Sequence, residues 1–287
     1  MQLISEIKDN NIFHIFFFDI IKYYDPKYKN VYINSERIEN NKKKKLCQKW
    51  RLFVMKKLYN NVEYLTDISC TEYNSKNISP TIIYKGYNFA EFIKYKPHPH
   101  LCKIYHKIIS NKTLVQDKYI LLNQREIDDR YLYDYNTKLK LEDFLFSQKL
   151  KYPLKVCNFS NMTPEEQYEI CNNCVIFISA HGAGCTNLIF TPKTAPFTEI
   201  NFRKHWYCNE VCNDHFNGKI SINEKCNGFK PYFHKADYHN LCYLIGKKYL
   251  EIEAIEYGEG FNNRNPISKK KIYIDGHSLI EKIHISI

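Results

Sequence analysis

The sequence lacks the long apolar segments of a membrane-spanning protein. Its apolar run near the start, residues 12–21, is interrupted by His14 and Asp19, and no run reaches the length that crosses a bilayer. No signal peptide and no internal repeat are visible. We therefore expect a cytoplasmic protein without a membrane span, and a secretory-pathway protein only if the chain is a truncated catalytic region.

The sequence also lacks a recognisable metal-binding motif. Its 11 cysteines are scattered without the spacing of a small disulfide framework. Cys171 and Cys174 form a Cys-x-x-Cys pair without obvious metal or redox partners, so packing is the better interpretation. Four further residues are of zinc-binding types but do not have zinc-finger spacing: Cys208, Cys212, His215 and Cys226. We predict no metal.

The composition is that of a basic globular protein. Of its 287 residues, 44% are hydrophobic and 15% aromatic, which excludes wholesale disorder. The formal charge of +11 comes from 42 basic and 31 acidic residues, and it suits nucleotide diphosphates, nucleic acids or acidic glycans. The basic runs at residues 42–45 and 269–271 lack a nucleic-acid-binding motif, so a solvated surface is the better interpretation.

The order of predicted elements indicates an α/β protein of two domains. The N-terminal segment contains helical patterns at residues 13–24 and 49–59, a strand at 79–84 and a break around Pro97. From residue 118 onward the predicted elements are strand 118–122, an Arg-containing loop, helix 137–148, strand 154–159, helix 163–172, strand 175–179, a glycine turn, a helix beginning near Thr186, and strand 197–200. Strands that alternate with helices predict parallel crossovers. We place the domain boundary between residues 112 and 113.

Residues 175–200, VIFISAHGAGCTNLIFTPKTAPFTEI, outline a phosphate-binding unit. A β-branched and aromatic strand leads into Gly182-Ala183-Gly184, where the backbone can turn sharply beside a ligand. The unpaired amides and positive dipole end of the next helix favour a diphosphate. Glu199 is expected near the mouth of the same crevice, where its carboxylate can accept hydrogen bonds from ribose hydroxyls. The alternative is an ordinary strand-to-helix turn.

Three blocks of this sequence resemble glycosyltransferase family 61. The first contains HGAG, TN, F-x-P and EI between residues 181 and 200. The second, KYILLNQREIDDRYLYDYN at residues 118–136, is similar to the family's strand ending in Arg, with Arg125, Arg130 and, less closely, Asn136 at the matching positions. The third, NIFHIFFFDII at residues 11–21, places His14 and Asp19 on the two polar positions of the N-terminal pattern.

The resemblance implies a GT-B-like fold, in which two Rossmann-like domains with parallel sheets face each other across a cleft. Here these would be an N-terminal acceptor-side domain, residues 1–112, and a nucleotide-sugar-binding domain, residues 113–287. The last helix, about residues 276–287, would cross back to the N-terminal domain. The family is inverting, and its members usually carry a secretory signal or membrane anchor, which is not visible here.

The candidate binding residues are polar or flexible groups at strand ends. Arg125 and the helix after the glycine turn would stabilise the leaving diphosphate without a metal, because a guanidinium offers a fork of donors and a permanent charge. Arg130 either assists or is an exposed loop residue. His181 either donates to a phosphate oxygen or only supports the turn. The remaining candidates are the turn residues Gly182, Ala183 and Gly184, and Thr186 and Asn187, which either contact the ligand or cap the helix.

The candidate catalytic base is Asp19, with His14 positioning it or replacing it, because an inverting transfer needs a group that takes the acceptor's proton. The structural alternative is a buried Asp at a local turn and a core His. Glu91 is a less supported candidate for this base. No Asp-x-Asp pair occurs at a suitable strand end, which fits a metal-independent enzyme.

The sequence thus predicts a metal-independent inverting transferase. It would move N-acetylglucosamine or xylose from a UDP-sugar to a hydroxyl of a protein or glycan, with no cofactor beyond the UDP-sugar donor. Two alternatives remain: an inactive nucleotide-sugar-binding protein of the same fold that serves as an interaction partner, and a basic nucleic-acid-binding protein.

Overall fold

The computed structural model contains a seven-stranded sheet covered by helices and a separate three-stranded sheet. The residues that it describes are 2–7, 30–35, 42–58, 61–66, 99–109, 117–127, 130–201, 238–239, 241–243, 245–257 and 271–287. No helix within these ranges is long and apolar enough to cross a membrane.

The larger sheet is mostly parallel. Its strands are β4 (Tyr119–Asn123), β5 (Tyr131–Asp134), β6 (Leu154–Cys157), β7 (Cys174–Ala180), β8 (Phe197–Asn201), β9 (Tyr249–Tyr257) and β10 (Lys271–Ile274). They lie in the order β5-β10-β9-β8-β7-β4-β6. The neighbours from β9 to β6 all pair in parallel, whereas β10 is antiparallel to β9 and parallel to β5. The predicted α/β class with a parallel sheet is confirmed for this part of the chain.

Helices pack on both faces of this sheet, so the central strands are buried on both sides, as parallel strands usually are. The α-helices with described bounds are α1 (Lys42–Leu58), α2 (Pro99–Ile108), α3 (Leu141–Phe146), α4 (Pro164–Asn172) and α5 (Gly276–Ser286). Alternate residues of β4 face opposite layers: Leu121 joins one apolar cluster with α1, α2 and α4, and Leu122 joins a second cluster with α3 and α5. The result is a curled sheet with helices packed against both of its faces.

The three-stranded sheet lies in the N-terminal part of the chain. It consists of β1 (Gln2–Ile7), β2 (Asn30–Ser35) and β3 (Asn61–Thr66), and both neighbouring pairs are parallel. Side chains of α1 and α2, including Trp50 and Tyr105, pack in the same apolar cluster as Phe177 of the larger sheet. The domain division at residues 112 and 113 and the GT-B arrangement stay predictions.

The helix at residues 163–172 begins as its sequence predicts. The Thr163 side chain accepts a hydrogen bond from the Glu166 amide, and the Glu166 carboxylate accepts one from the Thr163 amide. This reciprocal pair satisfies two amides that helix geometry leaves without partners, and Pro164 occupies the first helical position, where no amide is needed. The final helix at residues 276–286 is confirmed as well, and it packs on α3 and β9.

Three predicted elements need correction. Within the predicted Arg-containing loop, residues 131–134 form strand β5, because they pair with β10. Since β10 lies about 140 residues further along the chain, the sequence around residues 131–134 does not indicate this pairing. The predicted helix at 137–148 is accordingly shorter, at Leu141–Phe146. The helix expected to begin near Thr186 is a 3₁₀-helix, Ala183–Phe190, whose hydrogen bonds span three residues, as from the Cys185 amide to the Gly182 carbonyl.

The buried thiols predict instability at alkaline pH. Burial raises the pKa of Cys174 and Cys185 to about 12 and raises those of Cys171 and Cys242 as well. In the unfolded chain these thiols ionise near pH 9, so above this pH the folded state holds more protons and stability falls as pH rises. Burial lowers the pKa of Lys247 to about 8, which acts in the opposite direction between pH 8 and 10.5. The loss of stability from the four thiols is larger than the gain from the single amine, so the net stability falls as pH rises above 9.

We therefore expect the urea midpoint in reducing buffer to fall steeply between pH 9 and pH 10.5. The Cys171→Ala variant is the control, because it removes one buried thiol. Its stability should fall less steeply, by about 1.4 kcal/mol for each pH unit. A urea midpoint that stays constant from pH 8 to pH 10.5 would contradict the prediction.

Candidate functional site

The candidate site lies where two neighbouring parallel strands end. β4 and β7 pair with Asn123 opposite Ser179, so the residues that follow them emerge at the same edge of the sheet. Ligands of open α/β sheets bind beyond the carboxyl ends of such strands. Arg125 follows β4 by two residues, and Gly182 follows β7 by two residues. The sequence prediction that these two positions converge agrees with this geometry.

Two guanidinium groups lie against the glycine turn. A Cβ atom built on Gly182 would be 2.3 Å from Nη2 of Arg125 and 2.9 Å from Nη1 of Arg130. Nη1 of Arg130 also donates a hydrogen bond to the His181 carbonyl at 2.9 Å. Only glycine leaves room for this approach, and its φ of 154° is unfavourable for any other residue. Two positively charged guanidinium groups therefore lie directly against the backbone of the turn.

The backbone of Arg130 adopts an unusual conformation that supports this arrangement. Its φ is 59°, in the left-handed region that costs a non-glycine residue about 1 kcal/mol or more. Such strained residues cluster at functional sites, where the surrounding structure maintains them. The strain at Arg130 accompanies a side chain that bonds to the turn, which makes it a second cationic group of the candidate site.

The 3₁₀-helix that follows the turn has its N-terminus beside these guanidiniums. Gly182 is its N-cap residue, and no side chain caps it. The first amides of a helix carry partial positive charge, so this end adds to the potential of the two arginines. Ala183 and Gly184 are partly exposed here, whereas the following residues up to Phe190 are buried.

His181 and Glu199 form a buried pair behind the turn. Nδ1 of His181 hydrogen-bonds to Oε1 of Glu199, and the side chains are only 1% and 2% exposed. The second carboxylate oxygen accepts a hydrogen bond from the Tyr249 hydroxyl at 2.8 Å, and burial, together with Glu199, raises the pKa of that tyrosine far above its ordinary value. The structure thus places the Glu199 carboxylate inside the protein rather than at the mouth of the crevice.

Thr186 and Asn187 also hydrogen-bond within the protein. The Thr186 hydroxyl donates to the Ala183 carbonyl. The Asn187 side chain accepts from Nε1 of Trp50 at 2.7 Å and donates to Oε1 of Gln167 at 2.9 Å. Of the two alternatives for these residues, their contacts are those of groups that fix the 3₁₀-helix to α1 and α4.

Polar residues that sequence reasoning missed also shape the edge of the sheet. Nδ2 of Asn123 donates to the Ser179 hydroxyl at 2.9 Å and lies 2.8 Å from where a Cβ on Gly184 would be, so the turn packs on this amide. Gln124 bonds to both the amide and the carbonyl of Leu132 and thereby joins β4 to β5. Their signal in the sequence is two consecutive amides at the end of an apolar strand, LLNQ.

One tyrosine from a distant part of the chain hydrogen-bonds to the turn. The Tyr238 hydroxyl donates to the Gly182 carbonyl at 2.7 Å, and its ring lies 5.4 Å from that of His181. No local pattern connects residue 238 to the HGAG segment.

The predicted residue Asn136 does not reach the site. It is exposed in the turn after β5, and β5 runs antiparallel to β4, so Asn136 lies beyond the opposite strand ends from the site.

Several predicted residues lie outside the described part of the chain. They are His14, Asp19, Glu91, Cys208, Cys212, His215 and Cys226. Among the described residues, no group of three or more His, Cys, Asp or Glu side chains could hold a metal ion. Cys171 and Cys174 are buried free thiols, and the Cys174 thiol donates to the Cys171 carbonyl, which agrees with a packing role.

A comparison with protein families identifies the class. Residues 60–198 match the model of a glycosyltransferase family, described as Glycosyltransferase 61, and the match includes β4, β7, both arginines and the glycine turn. This match supports membership of glycosyltransferase family 61, as the motifs suggested, and the family implies glycosyltransferase activity with a sugar donor and an acceptor. No curated protein matches the chain.

Proposed function

We propose that this protein is an inverting, metal-independent glycosyltransferase. It transfers N-acetylglucosamine or xylose from a UDP-sugar to a hydroxyl group of a protein or glycan. The observation that supports this proposal best is the convergence of Arg125 and Arg130 on Gly182, at the start of the 3₁₀-helix. Family membership supplies the reaction class, and the donor, sugar and stereochemistry are the parts that we propose.

The site suits a leaving diphosphate for electrostatic reasons. As the bond between the anomeric carbon and the diphosphate breaks, negative charge develops on the phosphate oxygens. Guanidinium groups that already lie beside the turn stabilise this charge without reorganising during the reaction. Their planar forks donate paired hydrogen bonds to phosphate, and their charge does not depend on pH. The proposed enzyme therefore needs no metal to neutralise the leaving group.

The acceptor side of the reaction is assigned to the N-terminal segment. The acceptor oxygen attacks the anomeric carbon from the face opposite the diphosphate, the new glycosidic bond forms as the old one breaks, and the configuration inverts. The acceptor proton passes to the Asp19 carboxylate, with His14 positioning or replacing it. The diphosphate leaves with the electron pair of the broken bond. In a GT-B arrangement this segment would face the carboxyl edge of β4 and β7 across the cleft.

A thermal-shift screen against a panel of nucleotides and nucleotide sugars tests the proposal. UDP and UDP-sugars should raise Tm, because a ligand present at about 100 times its Kd stabilises the folded state by about 2.7 kcal/mol. Adenine and guanine nucleotides are the controls for uridine selectivity. The proposal is wrong if no uridine nucleotide raises Tm while oligonucleotides bind with a steep salt dependence, the behaviour of a nucleic-acid-binding protein.

Turnover separates an enzyme from an inactive descendant of the family. With the UDP-sugar that gives the largest shift, an enzyme releases UDP when an acceptor, or slowly water, takes the sugar. UDP binding without any UDP release over hours, across protein and glycan acceptors, would favour the inactive interaction partner.

A further inference from the structure

A chain of buried hydrogen bonds runs from β9 to the glycine turn. The Tyr249 hydroxyl donates to Oε2 of Glu199, and Oε1 of Glu199 bonds to Nδ1 of His181. We propose that Glu199 and Tyr249 are positioning residues: they hold His181, and through it they hold Arg130 and Gly182 in the geometry that binds the diphosphate. This inference rests on the proposed function, and it assigns Glu199 a role other than contact with the ribose.

The burial of Glu199 argues against direct contact with a ligand. The residue is 1% exposed, and each of its carboxylate oxygens already has a hydrogen-bond donor from the protein. A buried carboxylate is costly unless such donors satisfy it, so breaking one of them to admit a ribose hydroxyl would carry a large penalty. The Glu199 carboxylate therefore makes its hydrogen bonds within the protein and not to a ligand.

The backbone of His181 connects this pair to the cationic site. Its amide donates to the Ile200 carbonyl at 2.9 Å, which fixes the turn to β8, and its carbonyl accepts the hydrogen bond from Nη1 of Arg130 at 2.9 Å. The ring is held on one side by Glu199 and contacts Tyr238 on another. A shift of His181 would move both the carbonyl that holds Arg130 and the adjacent Gly182.

This arrangement resembles the partner groups that orient ligating side chains in other sites. In metal sites, a carboxylate that accepts from Nδ1 fixes the tautomer and the orientation of a ligating histidine, and removal of such partners costs about 10- to 100-fold in metal affinity or activity. In the present site, the diphosphate is proposed to be bound by Arg130 and Gly182, which neighbour His181, and not by His181 itself. The expected consequence is a uniform loss of affinity for the diphosphate, whatever nucleoside is attached.

Inorganic pyrophosphate separates positioning from ribose contact, because it has the diphosphate but no ribose. We would measure Kd of UDP and of pyrophosphate by calorimetry, without divalent cations, for the wild type, Glu199→Asp and Tyr249→Phe. Glu199→Asp keeps the charge but shortens the reach to His181, and Tyr249→Phe removes only one donor. Thr198→Val is the matched control on the same strand, since the Thr198 hydroxyl is buried and has no hydrogen-bond partner among the described residues.

Positioning predicts that both test variants weaken UDP and pyrophosphate by the same factor, about tenfold, while Thr198→Val changes neither. Circular dichroism and Tm identify any variant that is not folded, and Tyr249→Phe then carries the test if Glu199→Asp is unfolded. The inference is overturned if Glu199→Asp weakens UDP but not pyrophosphate, which is the result of a ribose contact. It is also overturned if Tm falls while both affinities stay at the wild-type values.

The wild-type protein separates the inference from the proposed function. If the wild type binds neither UDP nor pyrophosphate, the proposed function fails and the inference fails with it. If it binds UDP but not pyrophosphate, the proposed donor stands, but the turn is not what holds the diphosphate, and the inference alone is overturned.

Discussion

The Arg125→Ala variant should show no thermal stabilisation at UDP concentrations that clearly raise Tm of the wild type. Its guanidinium lies against Gly182, where a Cβ would be only 2.3 Å away, so it is the nearest cationic group to the turn. Loss of two charge-assisted hydrogen bonds to phosphate costs about 3 kcal/mol, which corresponds to an affinity loss on the order of 10²-fold. Thermal shift and calorimetry measure this loss directly.

Two further variants show whether the geometry or only the charge matters. Lys118→Ala removes the same charge from an exposed position at the opposite end of β4, so it should keep the full UDP shift. Arg125→Lys keeps the charge but not the planar fork, so its affinity should lie between those of the wild type and Arg125→Ala. A full UDP shift in Arg125→Ala would show that the cationic turn is not the donor site.

The Gly182→Ala variant reaches the same site without removing a charge. Its methyl group would collide with Nη2 of Arg125, and its φ of 154° is unfavourable for alanine, so UDP affinity should fall together with stability. Gly246→Ala is the matched control, because Gly246 also has a positive φ, 70°, but lies at the turn before β9. It should lower Tm and leave UDP affinity unchanged.

The parts of the fold that the sequence predicts well are those whose signals are local. The strand Cys174–Ala180, the turn at Gly182 and the strand Phe197–Asn201 follow one another within 28 residues, and their bounds differ from the predicted ones by at most one residue. The capping pattern at Thr163 is equally local, because its partner Glu166 is three residues away. In these cases a short pattern contains both the cause of the structure and its boundary.

The parts that the sequence did not predict depend on partners that are distant in the chain. Tyr238 reaches the turn from 56 residues away and Tyr249 reaches Glu199 from 50 residues away, and neither lies in a motif. The burial of Glu199 was missed for the same reason: its place in the strand after the glycine turn predicts a carboxylate near the mouth of the crevice, and only the tertiary packing brings Tyr249 to its second oxygen. Trp50 likewise bonds to Asn187 across 137 residues.

Arg130 shows the limit of motif matching within a site. Its position in the second block predicts a cationic role, but nothing in the sequence indicates the left-handed backbone that accompanies it. That conformation accompanies the tertiary contact of the Arg130 side chain with the His181 carbonyl. A motif therefore identifies the residue type that a site needs, whereas its geometry depends on the surrounding packing.

The Asp19→Asn variant should bind UDP as tightly as the wild type and lose nearly all sugar transfer. An asparagine side chain has almost the same shape as aspartate but cannot take the acceptor's proton, and a general base contributes about 10²- to 10⁴-fold to the rate. The proposed leaving-group site at Arg125 and Gly182 is unchanged, so the defect should lie in kcat. Calorimetry with UDP and the rate of UDP release from the donor measure the two quantities separately.

The His14→Gln variant distinguishes the two roles proposed for His14. If His14 positions Asp19, its loss should lower kcat less than Asp19→Asn does, and the double variant should be no slower than Asp19→Asn alone, because residues that act as a unit are not additive. If His14 is itself the base, His14→Gln should have the larger effect. Turnover that survives in Asp19→Asn and His14→Gln alike would show that the base assignment is wrong, and Glu91 would be the next carboxylate to replace.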